Sequence, residues 1–332
     1  MELTEIYQKG EAFFREKDFG RLLGYVETGF IRDHDREILD RFTFRQQCID
    51  SPVASTRCSV LGLTLSSPVV MSSMTMPIPA IGEDALMQLA RGLKSAGSLM
   101  WTGTPIPQNL SDIAAIGVPL AANVKPFKDR NKIYAMLDDI LGQGVTWVGI
   151  ELDAAQGTKI GDKEMGFECA PFSLKEIREI RKRVPVPLAC KGVLSREDAE
   201  KCVEAGADII VVSSHGGHTL DYLPHPLQVM DEIVAAVKGK IQIIVDGGFR
   251  RGSDVLKGLA FGASLVGLGR PILYALAVGG EKGVSDLIAG ITRELSRLMT
   301  MVAAKDPTMV QKNILIERKM TRKSNYVRVF KE

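Results

Sequence analysis

The chain has 332 residues, 45% of them hydrophobic, enough for one large (β/α) barrel or for two ordinary domains. Lysine plus arginine (42) nearly cancel aspartate plus glutamate (40), so a net charge of +2 leaves no electrostatic footprint for nucleic acid or an anionic membrane surface. The five cysteines (Cys48, Cys58, Cys169, Cys190 and Cys202) include no C-x-x-C pair, which points to free thiols in a reducing cytosol rather than to a disulfide framework.

The N-terminus is charged from its second residue, and no apolar run approaches the roughly twenty residues that a membrane span needs, so a cytoplasmic protein is expected. Residues 1 to 40 place Phe13, Phe14, Phe19, Leu22, Leu23 and Val26 among charges at helical spacing. This predicts one or two short helices ahead of the main domain, capping the bottom or edge of a barrel. From Ser67 the pattern becomes regular. S-P-V-V-M-S-S reads as a first strand, Glu83 to Ala96 as a helix, S-L-M-W-T-G as a second strand and P-L-A-A-N-V as a third. Thr146 to Leu152, Pro187 to Cys190, Ile209 to Val212, Ile241 to Val245 and Ser264 to Leu268 complete eight, with room for a crossover helix between them. No linker or low-complexity tract interrupts the alternation. The predicted fold is therefore α/β, a single (β/α)8 TIM barrel over residues 67–303 with an N-terminal helical extension. Val284 to Ala303 should be its eighth helix. The tail over 304–332, with Lys312, Arg318, Lys319, Arg322 and Lys323, reads as a solvated or subunit-contacting segment.

In such barrels chemistry sits at the carboxyl ends of the strands. Strand four ends in Glu151-Leu152-Asp153, strand five in Lys191-Gly192 and strand six in Ser213-Ser214-His215. An aspartate against one imidazole nitrogen fixes the tautomer and raises the basicity of the other, so Asp153 beside His215 would form a proton acceptor. Lys191 has two readings: an ion pair to a strand-end carboxylate, or a cation facing a cofactor that must hold negative charge, which suits a reduced flavin. Gly247, Gly248 and Gly252 let the backbone approach a bound group while Arg250, Arg251 and Arg270 supply positive charge, so the last two strand ends look built for a phosphate. No G-x-G-x-x-G turn near the N-terminus suggests a dinucleotide instead.

K-G-V-L-S-R-E-D-A, V-V-S-S-H-G-G-H-T-L-D-Y, V-D-G-G-F-R-R-G-S-D-V-L-K and G-L-G-R-P resemble, in order and spacing, the FMN-dependent 2-hydroxy acid oxidases and dehydrogenases. The resemblance covers about Phe42 to Met301 and implies bound FMN. By position it places Lys191 at the flavin N1/O2 edge with Ser213 nearby. Asp246, Gly248, Arg250, Arg251, Gly269 and Arg270 fall on the ribityl chain and phosphate, and Ser73, Met74, Thr104 and Asn123 along the isoalloxazine ring. His215 would be the base and Asp153 its partner. Glu151 stands where the family has a small hydroxyl residue.

Three departures bear on substrate. His218 replaces the arginine that grips the substrate carboxylate, Lys125 replaces a tyrosine, and a second arginine after Asp153 is absent, with Lys159 near its place. Lysine binds an anion only as a point charge, so the two-pronged grip is lost. The segment from Ala154 to Phe172 is shorter than the family's lid and implies a more open mouth. The expected function is FMN-dependent oxidation of a substrate bulkier than glycolate or lactate, recognised partly through Lys125, His218 and His215. An isomerase-like reaction on the same barrel and a flavin-binding protein without turnover are the alternatives. The electron acceptor (oxygen, a quinone or a protein) is open, and the resemblance implies a homo-oligomer, commonly a tetramer.

Overall fold

The computed structural model describes residues 1–17, 19, 24–155, 162 and 165–318. Two helices, α1 (Leu3–Glu16) and α2 (Phe30–Asp40), precede a short strand β1 (Phe42–Phe44) and a hairpin of β2 (Cys58–Val60) and β3 (Leu63–Leu65). The barrel strands are β4 (Val69–Met71), β5 (Met100–Thr102), β6 (Leu120–Val124), β7 (Trp147–Glu151), β8 (Leu188–Val193), β9 (Ile209–Val212), β10 (Gln242–Val245) and β11 (Leu265–Leu268). They pair in parallel in the order β4-β11-β10-β9-β8-β7-β6-β5. The ring closes between its ends through backbone bonds from Met71 to Leu99 (3.2 Å) and from Met74 to Trp101 (3.1 Å). Both faces of such a sheet are covered, which is why these strands are aliphatic throughout instead of alternating.

Some crossover helices start at side-chain caps. Ser173 and Glu176 form a capping box ahead of Leu174–Arg183, and Ser195 accepts from the Asp198 amide ahead of Arg196–Ala205. Inside the barrel, Val70, Trp101, Trp147, Ile209, Val211 and Ile244 form a separate apolar core with Val60 and Leu65 of the hairpin, so β2 and β3 plug the amino-terminal end. The N-terminal helices were expected to cap that end or an edge of the barrel. They lie at the opposite mouth: Tyr7 donates to the Arg250 carbonyl, the Val26 amide donates to Gly217 O (2.9 Å), and Arg36 bonds Asp254 (2.9 Å).

Two further boundaries differ from expectation. β8 runs on through Lys191 to Val193 because a bulge, with Gly192 at φ +92°, keeps pairing with β9 past the irregularity. The last helix begins at Arg270 and runs to Met301, broken at Gly280 (φ +54°), instead of starting at Val284. Of the basic tail, Leu315–Glu317 pairs antiparallel with β1, and Lys312 forms an ion pair with Asp231. Lys319, Arg322, Lys323, Leu22, Leu23 and Lys159 lie outside the described residues.

Candidate active site

Side chains alternate along a strand, so two residues beyond each inward core position comes the next inward position. Beyond Ala121, Gly149, Ala189, Val211 and Ile244 those positions are Asn123, Glu151, Lys191, Ser213 and Asp246. All five are buried, and they form the polar top layer of the barrel interior. A cavity of about 250 Å³ opens above them. Of the residues expected at the site, Ser73, Met74, Thr104, Glu151, Lys191, His215, His218, Asp246, Gly248, Arg250, Gly269 and Arg270 line it.

His215 Nδ1 lies 2.9 Å from Asp153 Oδ2. The backbone works to hold it there. His215 has φ +53°, a left-handed conformation costing a non-glycine residue about 1–2 kcal/mol. The Ser213 hydroxyl accepts the His215 amide (3.0 Å), and Arg270 Nη2 donates to Gly216 O (2.9 Å) while its guanidinium lies 4.3 Å from the centre of the Tyr25 ring. On the other side, Gly192 makes room for Asp153, since a Cβ on that glycine would sit 2.2 Å from the Asp153 carboxyl carbon.

Lys191 is 2% exposed, and its Nζ has no hydrogen-bond partner among the described residues. A buried ammonium costs several kcal/mol unless an anionic or hydrogen-bonding partner meets it. Asp246 lies near enough to feel its charge: burial raises the Asp246 carboxyl above the usual range, and Lys191 pulls it back. Of the two readings of Lys191, the bare Nζ fits the one in which it faces a bound anionic group. At the far end of the cavity, Gly247, Gly248, Arg250, Gly269 and the first turn of the Arg270–Met301 helix converge. Glycines at φ +114° and +72°, two arginines and a helix N-terminus make a phosphate cradle. The donor set therefore fits FMN: cradle at one end, buried cation further in, proton acceptor beside it.

Five expected site residues do not line the cavity. Arg251 turns to Glu294 (Nη2 to Oε1, 2.5 Å) and leaves the phosphate end to Arg250 and Arg270. Asn123 is buried below the cavity floor, its Oδ1 accepting from Trp101 Nε1 (2.7 Å). Ser213 and Asp153 stand behind His215, holding its backbone and its ring. Lys125, expected at the substrate, is instead fully buried between Glu151 Oε2 (3.0 Å) and Asp162 Oδ2 (2.9 Å), which raise its pKa despite burial. The glutamate at a position that the family usually gives to a small hydroxyl residue is thus one of two carboxylates paired with Lys125.

Sequence reading missed three supports. His225 is wholly buried, with Nδ1 accepting from the Leu227 amide (3.1 Å) and Nε2 donating to Gly247 O (3.1 Å). Burial pushes it down to about 3, so it is neutral. Its signal was the His-Pro step at a helix start. Asp221 accepts from the Thr28 and Phe30 amides, tying the extension to the base loop, and Asp35 reaches the phosphate end from α2. Asp221 lies in the V-V-S-S-H-G-G-H-T-L-D-Y motif without its partners being marked, and Asp35 had no sequence signal, because both contacts span more than 190 residues.

Comparison with known proteins agrees with this geometry. An L-lactate oxidase from Nostoc sp. is 30% identical over 342 residues, covering 90% of this chain and 93% of the relative. An L-lactate oxidase from Lactobacillus jensenii is 34% identical over 291 residues, covering 77% and 70%. Among solved structures, a mandelate oxidase variant with 2-hydroxy-phenylacetamide superposes with a TM-score of 0.84 at 26% identity, over 96% of this chain and 98% of that one. The model of the FMN-dependent dehydrogenases matches residues 17–171 and 167–317, so the chain belongs to that family and is an FMN-dependent hydroxy acid oxidoreductase built on a (β/α)8 barrel.

Proposed function

We propose that this enzyme oxidises a 2-hydroxy compound that carries no free carboxylate beside the reacting carbon, with His215 as the base. The carrying observation is the His215–Asp153 pair on the wall of a cavity that also holds the bare Lys191 ammonium. When bound, FMN supplies the two-electron acceptor. With Nδ1 given to Asp153, His215 Nε2 takes the substrate's hydroxyl proton as the C–H electron pair leaves, and Asp153 stabilises the resulting imidazolium. Lys191 would compensate the negative charge of the reduced cofactor. Of the residues lining the cavity, Gly248, Arg250, Gly269 and Arg270 would hold the phosphate of FMN, and Ser73, Met74 and Thr104 would meet its ring system.

The substrate reading follows from the cations. His218 stands where a two-pronged guanidinium grip is needed, and a histidine cannot reproduce it. Lys125 is committed to Glu151 and Asp162 and is not free to meet a substrate carboxylate. Met74, Met76 and Met165 line the mouth, an adaptable apolar surface. An amide fits this wall better than a carboxylate, as does a larger neutral substituent. The acceptor is oxygen, a quinone or a protein, and the working unit is a cytoplasmic homo-oligomer.

The test of the base is anaerobic flavin bleaching by whichever 2-hydroxy compound reduces the native holoenzyme. His215→Gln should retain FMN and bleach slower by about 10²- to 10⁴-fold. Bleaching at the native rate would assign His215 to structure.

A further inference from the structure

Asp35 is the acid at the phosphate end. It sits on α2, is 4% exposed, and its Oδ1 has no hydrogen-bond partner among the described residues. It packs directly on the cradle: a Cβ on Gly248 would lie 2.8 Å from Asp35 Cβ. It lines the same cavity as Arg250 and Arg270. A carboxyl between two arginines would ordinarily ionise and pair with them. Asp35 forms no ion pair among the described residues, and burial outweighs the attraction of Arg270 and Arg250, with Asp246 adding repulsion, to hold it up to about 7. Arg36, on the same helix, is taken by Asp40 and Asp254.

We propose that Asp35 is a cofactor-binding residue that serves as a neutral carboxylic acid, so that each FMN bound at neutral to alkaline pH brings one proton into the protein. The chemistry follows from sign. An ionised Asp35 would face the phosphate dianion with like charge in a buried site, whereas the protonated form donates an O–H to a phosphate oxygen, a short charge-assisted bond. The phosphate's arrival therefore raises the affinity of Asp35 for its proton, and by linkage the proton raises the affinity for phosphate. The other charged groups beside it are Arg32 and Arg36 from α2, Asp246 and Arg250 from the β10 end, and Arg270 from the last helix; His215, His218, Lys191, Glu151 and Asp162 share the cavity and are common to the riboflavin arm. Arginine side chains keep their charge throughout this range. Asp246 is shared by every arm of the test. The phosphate's own second ionisation, near pH 6, lies below the window and has the opposite sign.

Apoprotein is titrated with FMN and with riboflavin from pH 6.5 to 9, by flavin fluorescence quenching, for the native protein and Asp35→Asn; proton uptake by the native protein is measured by calorimetry in buffers of different ionisation enthalpy. For one proton and a free carboxyl titrating near 7, native FMN affinity should fall about fifty-fold between pH 7 and 9, approaching tenfold per unit. Asp35→Asn, which keeps a donor and cannot ionise, should lose that slope. Riboflavin, lacking the phosphate, should bind both proteins equally and without this slope, which also shows that the variant is folded. Native FMN binding at pH 8 should take up close to one proton. The proposal is overturned if Asp35→Asn keeps the native slope, if it changes FMN affinity by the same factor at every pH, or if the native protein takes up no proton.

Discussion

Lys125→Met puts the buried triad to the test. Lys125, Glu151 and Asp162 are 0%, 2% and 1% exposed, and both carboxylates lie within 3.0 Å of one ammonium. Methionine fills nearly the same volume and removes only the charge, leaving two like-charged carboxylates in the top layer of the barrel. Breaking a buried pair from one side costs about 3–5 kcal/mol. At about 2–4 °C per kcal/mol, the melting temperature should fall by roughly 6–20 °C at pH 8. The sign with pH is fixed as well. Lysine's folded pKa is raised, so its stabilisation is fully present below its unfolded value of about 10.4 and the native enzyme gains or loses none of it between pH 7 and 9. In the variant Glu151 and Asp162 stay buried without the Lys125 ammonium, and burial disfavours a charged carboxylate, so the deficit should be largest at high pH and shrink toward pH 5. Adding Glu151→Gln should recover part of it. Thermal and urea unfolding followed by circular dichroism read all of this. A loss under about 1 kcal/mol at pH 8 would contradict a buried triad and return Lys125 to the substrate side.

Gly192→Ala drives a Cβ to 2.2 Å from the Asp153 carboxyl carbon at φ +92°, so Asp153 must move by more than an ångström and release His215; FMN should stay bound while anaerobic bleaching slows at least 10²-fold, about what such a displacement costs. Asp153→Asn keeps the shape and removes the charge, and should slow bleaching with FMN affinity unchanged, as a change in flavin absorbance on titration will show. His225 is buried neutral with its pKa lowered to about 3, so it supports stability above its unfolded value of about 6.5 and costs stability as pH falls toward 3. Urea unfolding of His225→Gln should therefore show a shallower acid limb than native between pH 6 and 4.

The barrel was legible because eight aliphatic runs, each cut off by polar residues, recur at crossover spacing, and a parallel sheet buried on both faces leaves that trace. That His215, Asp153, Arg250 and Arg270 gather at one mouth was legible because strand ends are where glycines and charges interrupt those runs. Arg251 was over-assigned, since adjacent arginines at a helix start look alike in sequence and only the packing sends one of them to Glu294. Lys125 was read as an anion binder because Asp162, 37 residues away, has no pattern that marks it as a partner. The extension's amphipathic spacing predicted its helices but not the end of the barrel they cover. That choice rests on single long-range contacts such as Tyr7 to Arg250 and Arg36 to Asp254.

The central claim is that a histidine–aspartate base works here without a carboxylate clamp, and a matched pair of substrates tests it most directly. Native holoenzyme is mixed anaerobically with mandelic acid or with 2-hydroxy-phenylacetamide, which share ring and hydroxyl and differ in carboxylate against amide; glycolate and L-lactate are run beside them, each also with His218→Arg. Losing a charge-assisted pair in a desolvated site costs about 2–5 kcal/mol, some thirty- to several-thousand-fold in kcat/KM. The account predicts that the amide bleaches the native flavin faster than the acid, that glycolate and L-lactate bleach it weakly, and that His218→Arg shifts preference toward the acids. Rapid bleaching of the native enzyme by glycolate or L-lactate would contradict it.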